Sequence, residues 1–350
     1  MNQPASETRG KQKLLIAVLQ YSISFAILAW LFNRASQDDS FAQLQQQASQ
    51  WQLRNWLLLG GAFFTGLAAV ATTFFRWWVM VRTLDLPFRL ADALRLGFVG
   101  YFFNFLTLGV VGGDSLKAYF IAQQQPGRKT EAVSSVVADR LLGLYALAIV
   151  AAVALLNVEV VDPKVRAVLQ GTLGFLLVGG VVGIVFIFWG GRFDKPDLDQ
   201  LTDSDTVGQR ILTALLLFRS KLGRLFALLV LSLFTHVLFA LCVFMIACGM
   251  GGNPPGWGQH LVMVSIANVA GSLPLPGGLG GFEVGLDFLY RRVAGVQTSQ
   301  GFVVALGYRL MTLGIALVGV VYYFTGRREL SHLMQEAEAA GKAEKTASTS

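Results

Sequence analysis

The sequence predicts an all-α integral membrane protein with about six transmembrane helices and two re-entrant elements. Three observations predict this class. The 350 residues are 54% hydrophobic and only 14% charged, whereas soluble globular chains carry about 25% charged residues. Apolar runs of about 20 residues, the length that crosses a bilayer, recur from residue 14 to residue 324. Two shorter, glycine-rich apolar stretches interrupt that series.

The predicted spans are the runs with helical length and continuous apolar character. They cover residues 14–32, 56–81, 133–156, 168–189, 225–250 and 302–325. The first run follows basic residues, as a signal peptide would, but no small-residue cleavage site closes it. We therefore expect it to be retained, and we treat residues 1–325 as one membrane domain.

The two glycine-rich stretches, 96–111 and 260–276, are too short or too broken to span comfortably, so we expect both to dip into the membrane and return. Lipid cannot satisfy free N–H and C=O groups, so broken backbone is expected there only beside protein or a cavity. With both termini cytoplasmic, the positive-inside rule is met by basic residues such as Arg89, Arg128 and Arg224. A few basic residues on the outer side depart from the rule.

The polar segments carry no predicted chemistry. We expect residues 192–224 to be a cytoplasmic linker and residues 326–350 a cytoplasmic tail. The net charge of +7 is not concentrated in a basic and aromatic window, so no nucleic-acid partner is expected. Cys242 and Cys248 lie six residues apart, and no Cys or His cluster has metal-ligand spacing. We expect neither a metal nor another cofactor.

A repeat relates the two halves of the chain at an offset of 169 residues. At that offset Asp114 meets Glu283 and Arg140 meets Arg309, so the acid and the arginine are 26 residues apart in each half. Residue identity elsewhere is low. Because the two re-entrant stretches enter from opposite sides, we expect an inverted repeat, which is typical of secondary transporters.

The repeat halves, about residues 96–156 and 260–325, contain the candidate substrate site. A charge inside the membrane costs about 2.5 to 3.5 kcal/mol on insertion scales, so each one needs a partner or a purpose. Arg140 and Arg309 are the strongest candidates, because a guanidinium can hold a phosphate with two hydrogen bonds. Glycine-rich turns add backbone N–H donors. The candidate substrate-binding residues are Arg140, Arg309, Asp114, Glu283, Lys117, Asp139, Asn104, Asn268, Gly112, Gly113, Pro276, Gly277, Gly278 and Gly280.

A purely structural role for these charges is equally open. Asp114 would then pair with Arg140, and Glu283 with Arg309, to hold each re-entrant element against its partner helix. The two roles overlap, because a salt bridge beside a cavity can open to admit a phosphate.

Arg76 and His236 also lie in predicted spans. Arg76 precedes Trp77 and Trp78, and we expect it to be an interfacial anchor in an aromatic belt. His236 has no acid one helical turn away, and we expect a packed helix contact rather than a proton relay.

Five motifs carry a resemblance to a known family. They are Tyr101-Phe-Phe-Asn104, Gly112-Gly113-Asp114-Ser-Leu-Lys117, Asp139-Arg140-Leu-Leu-Gly143, Leu273-Pro274-Leu-Pro276-Gly-Gly-Leu-Gly280-Gly-Phe-Glu283 and Tyr308-Arg309-Leu. The chain resembles the lysylphosphatidylglycerol synthase transmembrane region, or flippase-like, family from about residue 56 to residue 324. Thr107 stands where that family often has a proline.

The resemblance implies the membrane half of such a synthase, without lysine transfer. Two-part synthases carry a soluble aminoacyl-transferase domain after the membrane region, and here about 25 polar residues follow the last span. The implied relatives are stand-alone bacterial inner-membrane proteins that handle lipids. The expected partners are therefore membrane lipids, with anionic head groups.

Three functions are weighed. We prefer translocation of an anionic or phosphate-bearing lipid through a groove between the inverted repeats. A non-catalytic accessory subunit of a glycolipid or envelope-polysaccharide synthase is the alternative. An intramembrane lipid-modifying enzyme would use the carboxylates of Asp114, Asp139 and Glu283, but no activated nucleophile is visible and we expect no enzyme.

Overall fold

The computed structural model describes most of the chain between residues 21 and 325. The described residues are 21–22, 24–37, 40–106, 110–125, 128–155, parts of 167–182, 221–251, 253–272, 279–293 and 300–325. Within them the regular structure is helical. The predicted tail, and the predicted linker up to residue 220, lie outside this part of the chain.

We number ten helices in chain order. They are α1 (24–37), α2 (Ser40–Ala48), α3 (Leu53–Thr83), α4 (Leu90–Leu106), α5 (Val110–Gln124), α6 (Lys129–Leu155), α7 (Leu222–Met250), α8 (Trp257–Gly271), α9 (Gly281–Tyr290) and α10 (Gln300–Thr325). Short helical pieces also lie within residues 167–182.

Four of the described helices, α3, α6, α7 and α10, are long and apolar enough to cross a membrane. They contain the predicted spans 56–81, 225–250 and 302–325, and all but the last residue of the span 133–156. The chain is therefore a multi-pass membrane protein. The predicted spans 14–32 and 168–189 lie partly outside the described residues. The count of six therefore stays a prediction.

Each predicted re-entrant stretch contributes the first helix of a packed pair. Helix α4 has 17 residues and α8 has 15. At 1.5 Å per residue these are about 25 and 22 Å long, shorter than a hydrocarbon core of about 30 Å. Helix α5 packs back on α4, and α9 packs back on α8. The connections at 107–109 and 273–278 lie outside the described residues.

The longest helices, α3 and α7, pack against each other and are fastened at both ends. At one end Asn55 Nδ2 donates to the carbonyl of Gly249 over 3.0 Å. At the other end Lys221 Nζ donates to the carbonyl of Thr83 over 2.7 Å. The start of one helix thus lies beside the end of the other, so the two are antiparallel.

The two halves exchange contacts reciprocally. Helix α4 packs against α10, and α8 packs against α6. The first helix of each half therefore contacts the last helix of the other. Asp114 near the start of α5 and Phe282 near the start of α9 lie at the centre of the bundle, where residues of α3, α6, α7 and α10 also meet.

Candidate functional site

A cavity of about 430 Å³ lies at this centre, and helices α3 to α10 all contribute to its walls. Its volume is within the range of about 300 to 1,000 Å³ that is usual for ligand sites. Aromatic and aliphatic side chains from α3, α4, α6 and α7 form much of the lining. Six of the predicted site residues also line it: Asn104, Asp114, Lys117, Arg140, Asn268 and Arg309.

In the first half, the Asp114 carboxylate lies between two cations. Arg140 donates to it from Nε and from Nη2, the latter to Oδ1 over 2.9 Å. Lys117 Nζ lies 2.8 Å from the same Oδ1, because residues three apart share a helix face. The Arg140 side chain is 39% exposed and that of Lys117 only 6%. Arg140 is therefore the more accessible cation of this group.

In the second half, Glu283 binds one arginine and one backbone donor. Arg309 Nε lies 2.8 Å and Nη2 2.7 Å from Oε1, while the N–H of Gly280 donates to Oε2 over 2.9 Å. Gly280 has φ +95°, a backbone region that glycine adopts without steric cost. The Glu283 side chain is only 2% exposed. Glu283 thus caps α9 and fixes Arg309 at the same time.

The prediction that Arg76 is an interfacial anchor is wrong. Arg76 is 4% exposed, and its Nε and Nη2 donate to the Asp139 carboxylate over 2.7 and 2.9 Å. Its Nη1 donates to Ser232 Oγ over 2.9 Å. Gly143 leaves room for this group, because a Cβ there would lie 3.2 Å from Nη1. The signal that could have indicated this pair is Asp139, an acid in an apolar span. Unlike Asp114, it has no acidic counterpart at the repeat offset, where Tyr308 stands.

Asp139 consequently faces α3, and not the cavity. Arg76 itself lines the cavity, so the cavity contains a cation that was expected at the membrane surface. The ion pair of Arg76 with Asp139 joins α3 to α6 within the bundle.

His236 lies on the wall beside this pair. Its Nε2 lies 2.9 Å from the carbonyl oxygen of Gly143. A carbonyl can only accept, so Nε2 carries the proton. This bond between α7 and α6 agrees with the predicted helix contact.

Two of the predicted glycine donors are already used. The N–H of Gly113 donates to Asn104 Oδ1 over 2.9 Å, and that of Gly280 donates to Glu283. In this structure side chains therefore satisfy both N–H groups near the helix starts. Their use by a substrate anion stays a prediction. Gly112 lies in the first turn of α5. Pro276, Gly277 and Gly278 lie outside the described residues.

A family model described as the lysylphosphatidylglycerol synthase TM region matches residues 16–319. The match covers most of the chain and includes the ion pairs of Asp114, Glu283 and Asp139 described above, together with the cavity residues. A search of curated proteins returned no match.

Proposed function

Because this chain belongs to the lysylphosphatidylglycerol synthase transmembrane-region family, we propose that it handles membrane lipids by moving an anionic, phosphate-bearing lipid across the bilayer. The observation that carries this proposal is the central cavity, where Arg140 and Arg309 lie among aromatic and aliphatic walls. A phosphate head group that crosses hydrocarbon loses its hydration at a large free-energy cost. Cations that replace water around the phosphate lower that cost.

The proposed route places the head group in the cavity and the acyl chains in the surrounding lipid. Leu141 and Leu310 directly follow the two arginines and are 58% and 63% exposed. Leu144, one turn beyond Arg140, is exposed and also lines the cavity. These apolar side chains support a lateral path by which a lipid reaches the arginines without leaving the membrane.

We propose that the halves around residues 96–156 and 260–325 form an inverted repeat in a protein with six spans. Support comes from the reciprocal packing of α4 on α10 and of α8 on α6, which a two-fold axis in the membrane plane would generate. Further support comes from the two ion pairs, in each of which the acid and the arginine are 26 positions apart. An inner-membrane location with cytoplasmic termini belongs to the same proposal.

Reconstitution into liposomes tests this function. Fluorescent phospholipids whose outer-leaflet copies are quenched by dithionite report exchange between leaflets. We expect the native protein to accelerate exchange of phosphatidylglycerol, and Arg140→Gln to abolish the acceleration. Arg309→Lys keeps a charge beside Glu283 and should slow exchange. Arg82→Gln, at an exposed position near the end of α3, is the matched control.

Two results would contradict the proposal. One is unchanged exchange in Arg140→Gln and Arg309→Lys. The other is no exchange by folded native protein for any lipid tested. The second result would favour the accessory subunit, and copurification with a lipid or polysaccharide synthase would then be the next measurement.

A further inference from the structure

The ionisable side chains around the cavity do not balance in charge. Four cations line the cavity. Among the described residues they form ion pairs with three carboxylates, of which Asp114 alone lines the cavity, and this leaves one net positive charge. The cations are Arg76, Lys117, Arg140 and Arg309, and the carboxylates are Asp114, Asp139 and Glu283.

The excess charge can be assigned to one place. Arg76 with Asp139 is a pair of one cation and one carboxylate, and so is Arg309 with Glu283. Asp114, in contrast, contacts two cations. Its single negative charge can neutralise only one of them. Inside a protein the effective dielectric constant is lower than in water, so such an uncompensated charge attracts an anion more strongly there than it would in bulk water.

We propose that Lys117, Asp114 and Arg140 form the anion subsite, and that this subsite takes one phosphodiester monoanion. The ligand class is a phospholipid with a net charge of −1. A zwitterionic lipid would bring a second cation into the cavity, and a phosphomonoester dianion would leave a negative excess. This inference rests on the proposed function and names its substrate class.

The exposure of the two cations assigns their roles. Arg140 is accessible and contacts the phosphate. Lys117 is buried beside Trp77 and Phe74, with Nζ 5.6 and 5.9 Å from the ring centroids, and is a positioning residue. When Arg140 turns toward a phosphate, Lys117 stays on Asp114, so no buried carboxylate loses all of its partners.

The second half lacks this arrangement. Leu286 stands three residues after Glu283, at the repeat position of Lys117, and is fully buried. Helix α9 therefore supplies no second cation there. Withdrawal of Arg309 would leave the Glu283 charge without a cation from that position. The structure thus assigns to Arg140 the move from its carboxylate to the phosphate, while Arg309 stays paired with Glu283.

Charge-altered variants test the subsite. The measurement is equilibrium binding of short-chain fluorescent phosphatidylglycerol, phosphatidylcholine and phosphatidate to the purified full chain in neutral detergent. We expect the native protein to prefer phosphatidylglycerol to phosphatidylcholine by about tenfold or more, and Lys117→Gln to lose that preference. Asp114→Asn adds one positive charge and should shift the preference toward phosphatidate.

The double variant Asp114→Asn with Lys117→Gln restores one net charge and should restore the preference for phosphatidylglycerol. A merely structural role for Lys117 predicts no such rescue. Lys129→Gln, at an exposed position at the start of α6, is the matched control. If Lys117→Gln does not fold, the other two variants still test the subsite. Asp114→Asn should shift the preference toward phosphatidate, and the double variant should restore the preference for phosphatidylglycerol.

Equal binding of phosphatidylglycerol and phosphatidylcholine by the native protein would overturn the subsite, and so would a folded double variant without rescue. Competition separates a lipid from a free anion. Displacement by glycerophosphoglycerol in preference to inorganic phosphate supports a lipid phosphodiester, and equal displacement by inorganic phosphate overturns it. Charge-selective binding without leaflet exchange contradicts only the proposed function, whereas exchange without charge selectivity contradicts only the subsite.

Discussion

Asp139 and Arg140 are adjacent in sequence, and their side chains bind partners on different helices. Asp139 accepts hydrogen bonds from Arg76 of α3, while Arg140 donates to Asp114 of α5. Successive residues of an α-helix point about 100° apart. One peptide unit of α6 is therefore held by ion pairs to two different neighbours, which fixes the rotation of α6 about its axis.

Removal of Asp139 should destabilise the fold strongly. Asp139→Ala leaves the buried Arg76 guanidinium without a counter-charge, which typically costs about 3 to 5 kcal/mol. Thermal unfolding of the purified protein in detergent measures the effect, with Asp92→Asn as the control. The double variant Arg76→Leu with Asp139→Leu should recover most of the loss, because it removes both charges. A double variant no more stable than Asp139→Ala would contradict this account.

The two arginines of the repeat should differ in their effect on stability. Arg309→Gln leaves the buried Glu283 without its cation, and we expect a loss of about 3 to 5 kcal/mol. Arg140→Gln leaves Lys117 on the more exposed Asp114, and the loss should be about 1 kcal/mol. Parallel thermal unfolding of the two variants checks the order. Equal losses would show that Lys117 does not neutralise Asp114.

Helix α5 should not tolerate a side chain at Gly113. A Cβ there would lie 2.2 Å from the carbonyl oxygen of Gly100 and 2.3 Å from Asn104 Oδ1. Gly113→Ala should therefore push α5 away from α4, at a cost of about 1 to 3 kcal/mol or more. The melting temperature and the folded yield are the measurements. Gly60→Ala is the matched control, since a Cβ at Gly60 meets nothing within 4 Å, and equal stability of the two variants would refute the close approach.

The pH dependence of stability should include a small contribution from Asp85, in the turn after α3. The hydrogen bond from Lys221, with the added charge of Arg224, lowers the pKa of this carboxyl below its usual range. Because the pKa is lower in the folded state, the charged carboxylate stabilises the fold above the unfolded-state pKa of about 3.9. This stabilisation is lost as the pH falls through the folded-state pKa. The effect is small because Asp85 is exposed.

Melting temperatures of the native protein and Asp85→Asn at neutral and acidic pH measure this contribution. The native protein should lose more stability than the variant on acidification, and added salt should narrow the difference. An identical pH dependence in the two proteins would exclude a role for the Asp85 charge.

The repeat explains which parts of the site the sequence could predict. The equal spacing of acid and arginine in the two halves predicted that Asp114 pairs with Arg140 and Glu283 with Arg309. Both pairs are present in the structure. Whether they bind substrate stays a proposal. The four long spans follow directly from the length of their apolar runs.

The pairing of Arg76 could not be predicted by the same reasoning. Its partner Asp139 is 63 residues away on another helix, and no second copy of the pair exists at the repeat offset. Both helices are apolar on most faces, so hydrophobic periodicity does not indicate which face of each helix meets its neighbour. The use of the Gly113 N–H was hidden for a related reason, because its acceptor Asn104 belongs to the preceding helix.

The fastening of α3 to α7 limits how this protein can change shape. We expect the hydrogen bonds at the two opposite ends, from Asn55 and from Lys221, to oppose separation of these helices on either side of the membrane. The two helices would then move together as one body. The proposed lipid movement would then require sliding where α4 packs on α10 and where α8 packs on α6, and we expect an agent that blocks sliding at either contact to slow it.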